Sequence, residues 1–298
     1  MHSPDSFLTC FEFPYTFFDK SRAISLYKPR DPFAHKGNFG HALLLAGSYG
    51  KIGAAVLASK ACLSSGAGLL TAHVPSCGYE IMQTALPEAM VDVDTDPDQL
   101  TECTLKPATF QAAGIGPGIG TSISTVRFLK KFIKKTSIPI VLDADALNIL
   151  GKNPEFLSTL PVKTILTPHP KEFDRMFGQH SSDLDRLRKA RKVAIQYKII
   201  VVLKGHFTGV FYPDGQVSFN TSGNAGMAKG GSGDVLTGII TAFLAQGYKS
   251  EISASLAVYL HGCAGDLAAK LYSEEAMLPS DLIHCLGKIF LEWKESVK

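Results

Sequence analysis

NTSGNAGMAKGGSGDVLTGII, residues 220–240, is a run of glycine, alanine and small polar residues that ends at Asp234 and passes directly into an apolar helix. Small residues open the backbone to close approach. The first turn of a helix adds N–H groups without helical partners and the positive end of the helix dipole. Gly230, Gly231, Ser232 and Gly233 therefore read as an anion hole. Asp234 is out of keeping with it, because a carboxylate repels phosphate unless it has another task. As a general base it takes the proton from a hydroxyl that attacks a phosphoryl group; as an isolated residue it reads better as a helix cap. The glycine loop around it favours the base. The run is not a Walker A loop, which needs GxxxxGK followed by Ser or Thr. Nor is it a dinucleotide fingerprint, since it lies late in the chain and opens no βαβ unit.

Working outward, ALLLAGS (residues 42–48) is a buried-strand run, followed by a helical stretch near residues 53–65 and a strand near 69–74, a βαβ unit. Apolar runs recur at residues 111–115, 139–142, 163–166 and 199–203, with helical patterns between most of them. This predicts an α/β fold, a mostly parallel central sheet flanked by helices. Residues 209–212 and 217–219, separated by Pro213-Asp214-Gly215-Gln216, predict a β-hairpin at one edge of the sheet. After Gly230 the pattern is helical near residues 232–246, 251–273 and 279–293. Residues 1–35 read as an N-terminal arm or linker remnant, and 36–298 as a single domain.

Composition narrows the function classes. A net charge of +3 gives no argument for nucleic acid. Arg127, Lys130, Lys131, Lys134 and Lys135 fall on one face of a helix, opposite Val126, Phe128, Leu129, Phe132 and Ile133, with no aromatic residues interleaved on the charged face, which is the pattern of a solvated face. No apolar run approaches the roughly 18 residues of a membrane span, so no membrane contact and a cytoplasmic location are expected. The six cysteines, at 10, 62, 77, 103, 263 and 285, have neither CxxC nor metal-ligand spacing and read as reduced thiols.

Other motifs place chemistry at strand ends. VLKGHFT (202–208) closes an apolar strand with Lys204 and Gly205, a cation beside open backbone. Gly53-Ala54 opens a helix, Gly116-Pro117-Gly118 follows a strand, and TPHPKEF (167–173) holds His169 between two prolines. In VLDADALN (141–148), Asp143, Asp145 and Asn148 suit water-mediated Mg²⁺ binding and suit helix capping equally.

Together HKGNFGHALLLAGS, KIGAA, GIGPGIG, VLDADALN, TPHPKEF, VLKGHFT and AKGGSGD, in this order from about residue 35 onward, resemble the ADP/ATP-dependent NAD(P)H-hydrate dehydratase family of the ribokinase-like class. The resemblance implies a ribokinase-like three-layer sandwich and dehydration of hydrated NADH or NADPH by transient phosphorylation of the hydrate hydroxyl. The implied phosphoryl donor is ADP or ATP with Mg²⁺, with ADP favoured by likeness to stand-alone bacterial members. Carried over residue by residue, it places Lys204, Gly205, His206, Phe207, Thr208 and Gly233 on the nucleotide. Ala54, Gly118, His169 and Asp234 fall on the hydrate, with Asp234 as base; Asp143, Asp145, Asn148 and Asn224 form a second set. An NAD(P)H-hydrate epimerase as functional partner, a family tetramer, and a junction with an epimerase domain near residues 1–35 belong to the same expectation. The rivals are a kinase of a vitamin precursor, of hydroxymethylpyrimidine or hydroxyethylthiazole type, and a non-catalytic nucleotide sensor.

Overall fold

The computed structural model describes residues 13–296. In chain order its elements are β1 (Tyr15–Phe18), α1 (Lys20–Leu26), β2 (His41–Leu45), α2 (Ile52–Ser64), β3 (Leu69–Val74), α3 (Tyr79–Ala85) and β4 (Met90–Val93). There follow β5 (Ala112–Ile115), α4 (Ile123–Lys135), β6 (Ile140–Leu142), α5 (Asp145–Lys152), β7 (Ile165–Leu166), α6 (Pro170–Phe177), α7 (Asp183–Tyr197) and β8 (Ile200–Leu203). The chain ends with β9 (Gly209–Phe211), β10 (Val217–Asn220), α8 (Ser232–Ala245), α9 (Ser250–Tyr272) and α10 (Pro279–Ser296).

The ten strands form one sheet in the order β1-β10-β9-β8-β7-β6-β5-β2-β3-β4. Every pairing is parallel except the two made by β9. The alternation of the strands decides the layers. Ala42 and Leu44 of β2 pack with α2, α8, α9 and α10, while Leu43 and Leu45 pack with α4, α5, α6 and α7. A parallel sheet buried on both faces needs strands that are apolar throughout, and β5 through β8 are fully buried. The expected α/β three-layer sandwich is the fold. Among the described residues no helix is long and apolar enough to cross a membrane.

Two expectations change. The hairpin forms as β9 and β10, but it is not the sheet edge: Tyr15–Phe18, inside the stretch expected as an arm, pairs in parallel with Val217–Asn220 and covers it. The sheet thus begins before residue 36; residues 1–12 of that stretch, with Cys10, lie outside the described residues. The other five cysteines are free, as expected. The basic residues of α4 face solvent while Phe128, Leu129, Phe132 and Ile133 are buried.

The order of the strands sets the site. From β2 the chain steps outward to β3 and β4, then returns past β2 to β5 and proceeds the other way. The carboxyl ends of β2 and β5 are therefore the switch point where open α/β sheets bind ligands. The neighbouring ends of β6, β7 and β8 carry VLDADALN, TPHPKEF and VLKGHFT. Helix α8 reaches this rim because glycines let it sink against its neighbours. A Cβ on Gly238 would stand 2.2 Å from the Ala58 carbonyl oxygen of α2, and one on Gly114 of β5 would stand 2.3 Å from Thr241 Oγ1 of α8.

Candidate active site

Asp234 lies in the first turn of α8, partly buried. Burial and the nearby Asp143 carboxylate push its carboxyl up to about 7, and Lys204 pulls the other way. Asp145 adds a smaller upward push. Carboxylates from two separate segments, Asp143 and Asp145 after β6 and Asp234 at the start of α8, thus lie close together at the carboxyl ends of the sheet, so the group at the helix start holds its proton up to neutral pH.

Asp143, at the end of β6, is 1 % exposed, and both its oxygens are engaged. Lys204 Nζ donates to Oδ1 at 2.9 Å, and Thr237 Oγ1 donates to Oδ2 at 2.8 Å. A buried carboxylate needs both a counter-charge and hydrogen bonds, and these two residues supply them. A Cβ on Gly233 would stand 3.3 Å from Asp143 Oδ2 and 3.3 Å from Lys204 Nζ, so the loop passes directly over the pair.

The loop before α8 keeps its amides open. Among the described residues no hydrogen-bond partner meets the backbone N–H of Gly230, Gly231, Gly233 or Asp234. Ser232 differs, because its N–H bonds the Lys229 carbonyl at 3.3 Å, while its hydroxyl is buried with no hydrogen-bond partner among the described residues. Gly231 takes φ +100° as it enters the helix, a conformation other residues adopt only under strain. Lys229 Nζ bonds the carbonyl oxygens of Met277, at 2.7 Å, and Glu275, tying the loop to the start of α10.

Beside the loop lies a cavity of about 590 Å³ whose wall includes Lys204, Gly205, His206, Thr208, Asn224 and His261. Thr208 closes the turn, donating to the Gly205 carbonyl at 3.1 Å. Phe207 does not line the cavity and packs instead against the core beneath α5, α6 and α7. Asn224 accepts from Gly226 N–H at 3.0 Å and donates to Asp266 at 3.0 Å, so it shapes the loop as well as facing the cavity. His169 also lines this cavity, and its Nδ1 accepts from Glu172 N–H at 3.3 Å in a capping box at the start of α6. Burial, then the Lys204 and Arg175 cations, lower its pKa below the usual imidazole value.

Ala54 and Gly118 meet at the switch point, Ala54 in α2 after β2 and Gly118 after β5. A Cβ on Gly118 would stand 3.2 Å from Ala54 Cβ, and Gly118 itself has φ +65°. Asp145 anchors this side by accepting from Gly120 N–H at 2.9 Å and from Lys51 Nζ at 3.3 Å. Asn148 Nδ2 donates to Asp145 at 3.3 Å, and Asn148 Oδ1 accepts from Arg175 at 2.8 Å. Asp143 and Asp145, one motif in sequence, therefore have separate partners, Lys204 and Thr237 for the first and Gly120, Lys51 and Asn148 for the second. Sequence reasoning missed Thr237, Lys51 and Arg175. Thr237, a hydroxyl one turn beyond Gly233 in a largely apolar helix, is the readable signal among them.

Residues 42–288 match the family model described as NAD(P)H-hydrate dehydratase. The bifunctional NAD(P)H-hydrate repair enzyme Nnr of Moorella thermoacetica is 39% identical over 279 residues, which are 90% of this chain and 52% of that one. The chain thus spans about half the length of these bifunctional relatives. The ADP-dependent (S)-NAD(P)H-hydrate dehydratase of Bacillus subtilis is 35% identical, with 93% of this chain and 98% of that one covered. A crystal structure of the ADP/ATP-dependent NAD(P)H-hydrate dehydratase from Bacillus subtilis, co-crystallised with ATP/Mg²⁺, superposes with a TM-score of 0.79 at 31% identity, covering 94% of this chain and 99% of that one. A ribokinase-like sheet with a glycine loop, an adjoining carboxylate and this match along most of its length mean that the chain belongs to the NAD(P)H-hydrate dehydratase family.

Proposed function

We propose that this chain restores NADH and NADPH from their hydrates, using ADP or ATP as phosphoryl donor, in nicotinamide cofactor repair. The observation that carries the reading is Asp234, a carboxylate whose pKa burial and Asp143 raise to about 7, in a glycine loop whose backbone N–H groups at Gly230, Gly231 and Gly233 have no partner among the described residues. Hydroxide is a poor leaving group, so direct loss of water from the hydrate is slow. Asp234 takes the proton of the hydrate hydroxyl as that oxygen forms a bond to the terminal phosphorus and the bond to the departing AMP or ADP breaks. The ring nitrogen lone pair then expels phosphate, and loss of a proton from the adjacent ring carbon restores the dihydropyridine.

The amides of Gly230, Gly231 and Gly233 and the Ser232 hydroxyl stabilise charge on the transferring group. Lys204 neutralises it further, leaving Asp143 for phosphate as nucleotide enters. Gly205, His206 and Thr208 border the nucleotide, and Ala54 and Gly118 border the hydrate. His169 stands on the nucleotide side of Asp234, where its neutral ring contacts both ligands at their junction. Asp143 and Asp145 lie close enough to Asp234 to raise its pKa, and their oxygens would suit a magnesium ion held through water. When bound, Mg²⁺ withdraws charge from the phosphoryl oxygens. An epimerase that interconverts the two hydrate forms is the functional partner, since bifunctional relatives are about twice as long as the matched segment.

The test mixes the protein with hydrated NADH, Mg²⁺ and either ADP or ATP and follows the reduced-nicotinamide absorbance band. Recovery that needs nucleotide and is absent in Asp234→Asn is expected, and the faster nucleotide names the donor. Absence of recovery with both would overturn the reading.

A further inference from the structure

Three donor groups of different kinds converge from three segments that do not border the cavity beside the glycine loop. His73 of β3 and Asp92 of β4 are register partners in the parallel sheet, and Cys103 comes from the segment that follows β4. A ring nitrogen of His73, a carboxylate oxygen of Asp92 and the Cys103 sulfur all lie within 4.8 Å of one another. The His73 ring lies against Phe128 of α4, with centroids 6.0 Å apart, and is 1% exposed.

Hydrogen bonds fix the roles of the ring. Nε2 is 2.8 Å from the Glu102 carbonyl oxygen, and a carbonyl only accepts, so Nε2 carries a proton. Nδ1 then faces Asp92 Oδ2 at 2.6 Å. In a neutral ring beside an ionised carboxylate, that contact would set two lone pairs against each other. A positive charge has to stand between them, either a shared proton or a metal ion. A proton answers those two atoms alone, whereas a metal also uses the sulfur beside them. The second nitrogen of a ligating histidine characteristically donates to a backbone carbonyl, as Nε2 does here. Asp94 stiffens the approach to Cys103, its Oδ2 accepting from the N–H groups of Thr101 at 2.6 Å and Glu102 at 2.9 Å.

Imidazole nitrogen, carboxylate oxygen and thiolate sulfur together suit zinc, while a thiolate disfavours Mg²⁺, which takes oxygen. Tetrahedral bonds to zinc hold neighbouring ligand atoms roughly 3.3–3.6 Å apart. The 2.6 Å contact therefore opens as the ion enters, a movement open to the Asp92 side chain, which is 27% exposed. Cys103 also lines a cavity of about 390 Å³ between residues 103–108 and α4, a route for the ion and room for a water as fourth ligand. Burial, then Asp92 and Asp94, push the Cys103 thiol up to about 11. Metal thus enters by exchange: the thiol proton and the proton between His73 and Asp92 leave to solvent as the bonds to nitrogen, oxygen and sulfur form. We infer that His73, Asp92 and Cys103 form a zinc-class metal site, separate from the Mg²⁺ of phosphoryl transfer, that ties β3, β4 and the segment after β4 together.

The probe is Co²⁺, which enters zinc sites and reports a thiolate ligand by a sulfur-to-cobalt charge-transfer band in the near ultraviolet. The protein, stripped with chelator, kept reduced and free of nucleotide, is titrated with Co²⁺. The band is expected to saturate at one equivalent, to vanish on adding Zn²⁺ and to be absent in Cys103→Ala. Co²⁺ held by the carboxylates near Asp234 gives no such band, since its donors there are oxygens. Zn²⁺ is expected to raise the Tm of the wild type and to leave that of Cys103→Ala unchanged. Should the variant not fold, alkylation of Cys103 in the wild type by iodoacetamide, read by peptide mass spectrometry, serves instead: one equivalent of Zn²⁺ slows it. Absence of the band, a band that survives in Cys103→Ala, or alkylation of Cys103 at an unchanged rate with Zn²⁺ overturns the inference. Turnover of hydrated NADH tests the dehydratase reading separately, and none of these outcomes bears on it.

Discussion

Asp143 accepts a 2.9 Å hydrogen bond from Lys204, 61 residues further along the chain, and this pair lies directly beneath Gly233. The consequence is electrostatic. Burial does most to raise the pKa of Asp234; beyond that, Asp143 raises it and Lys204 lowers it, so the two residues that hold each other tune the base from opposite sides.

The first prediction concerns pH. A general base works deprotonated, so kcat/KM falls about tenfold per unit of pH below the pKa of Asp234, near 7. Steady-state rates between pH 5 and 9 check this, and Asp234→Asn removes the phosphoryl-transfer step with a loss of about 10²- to 10⁴-fold. Stability runs the other way. Because the folded pKa lies above the unfolded one, the folded state binds the extra proton between about pH 4 and 7, and its advantage is lost as pH rises through that window. At pH 8 Asp234→Asn is therefore more stable than the wild type, by roughly 2 to 4 kcal/mol from a shift of this size, as read by urea unfolding.

The second separates the two partners of the pair. Asp143→Asn takes away a negative neighbour, which lowers the pKa of Asp234 and moves the acid limb of the rate profile to lower pH. Lys204→Met takes away a positive neighbour and moves the limb to higher pH. Shifts of the same sign in both variants would show that the limb belongs to another group.

Much of this site could be read from sequence because it is built from local patterns. The loop 220–234 and the strand ends are contiguous, and each announces its geometry through Gly, Pro or an apolar run. The pairing of Asp143 with Lys204 could not be read, since it depends on β6 and β8 flanking β7 in the sheet. β1 and β4 escaped for another reason: each has four residues and is incompletely buried, so neither shows the continuous apolar run of the central strands. His261 sits in a helix rich in apolar residues, where nothing local tells a histidine in a cavity wall from one that only fills space.

A third prediction concerns Thr237. Thr237→Val preserves shape but removes the 2.8 Å hydrogen bond to Asp143 Oδ2, leaving a buried carboxylate oxygen without its partner. The expected cost is about 1–3 kcal/mol, measured by thermal or urea unfolding. Thr237→Ser keeps the hydroxyl and restores most of that loss. If valine costs no more than serine, Asp143 is held by Lys204 alone.

The last prediction sets two glycines of the same region against each other. At Gly238 an added methyl would meet the Ala58 carbonyl oxygen at 2.2 Å, and backbone cannot swing aside as a flexible side chain does. Gly238→Ala must push α8 away from α2, with a cost of about 1–3 kcal/mol for overpacking and a lower Tm. At Gly230 the same methyl meets no atom within 4 Å, so Gly230→Ala leaves stability almost unchanged. Its amide is nonetheless one of the open set, and the methyl projects into space that a phosphate would share. The expected result is an unchanged Tm with a raised KM for ADP. A Gly230→Ala enzyme with unaltered nucleotide KM would place the phosphates elsewhere, whatever Gly238→Ala does to stability.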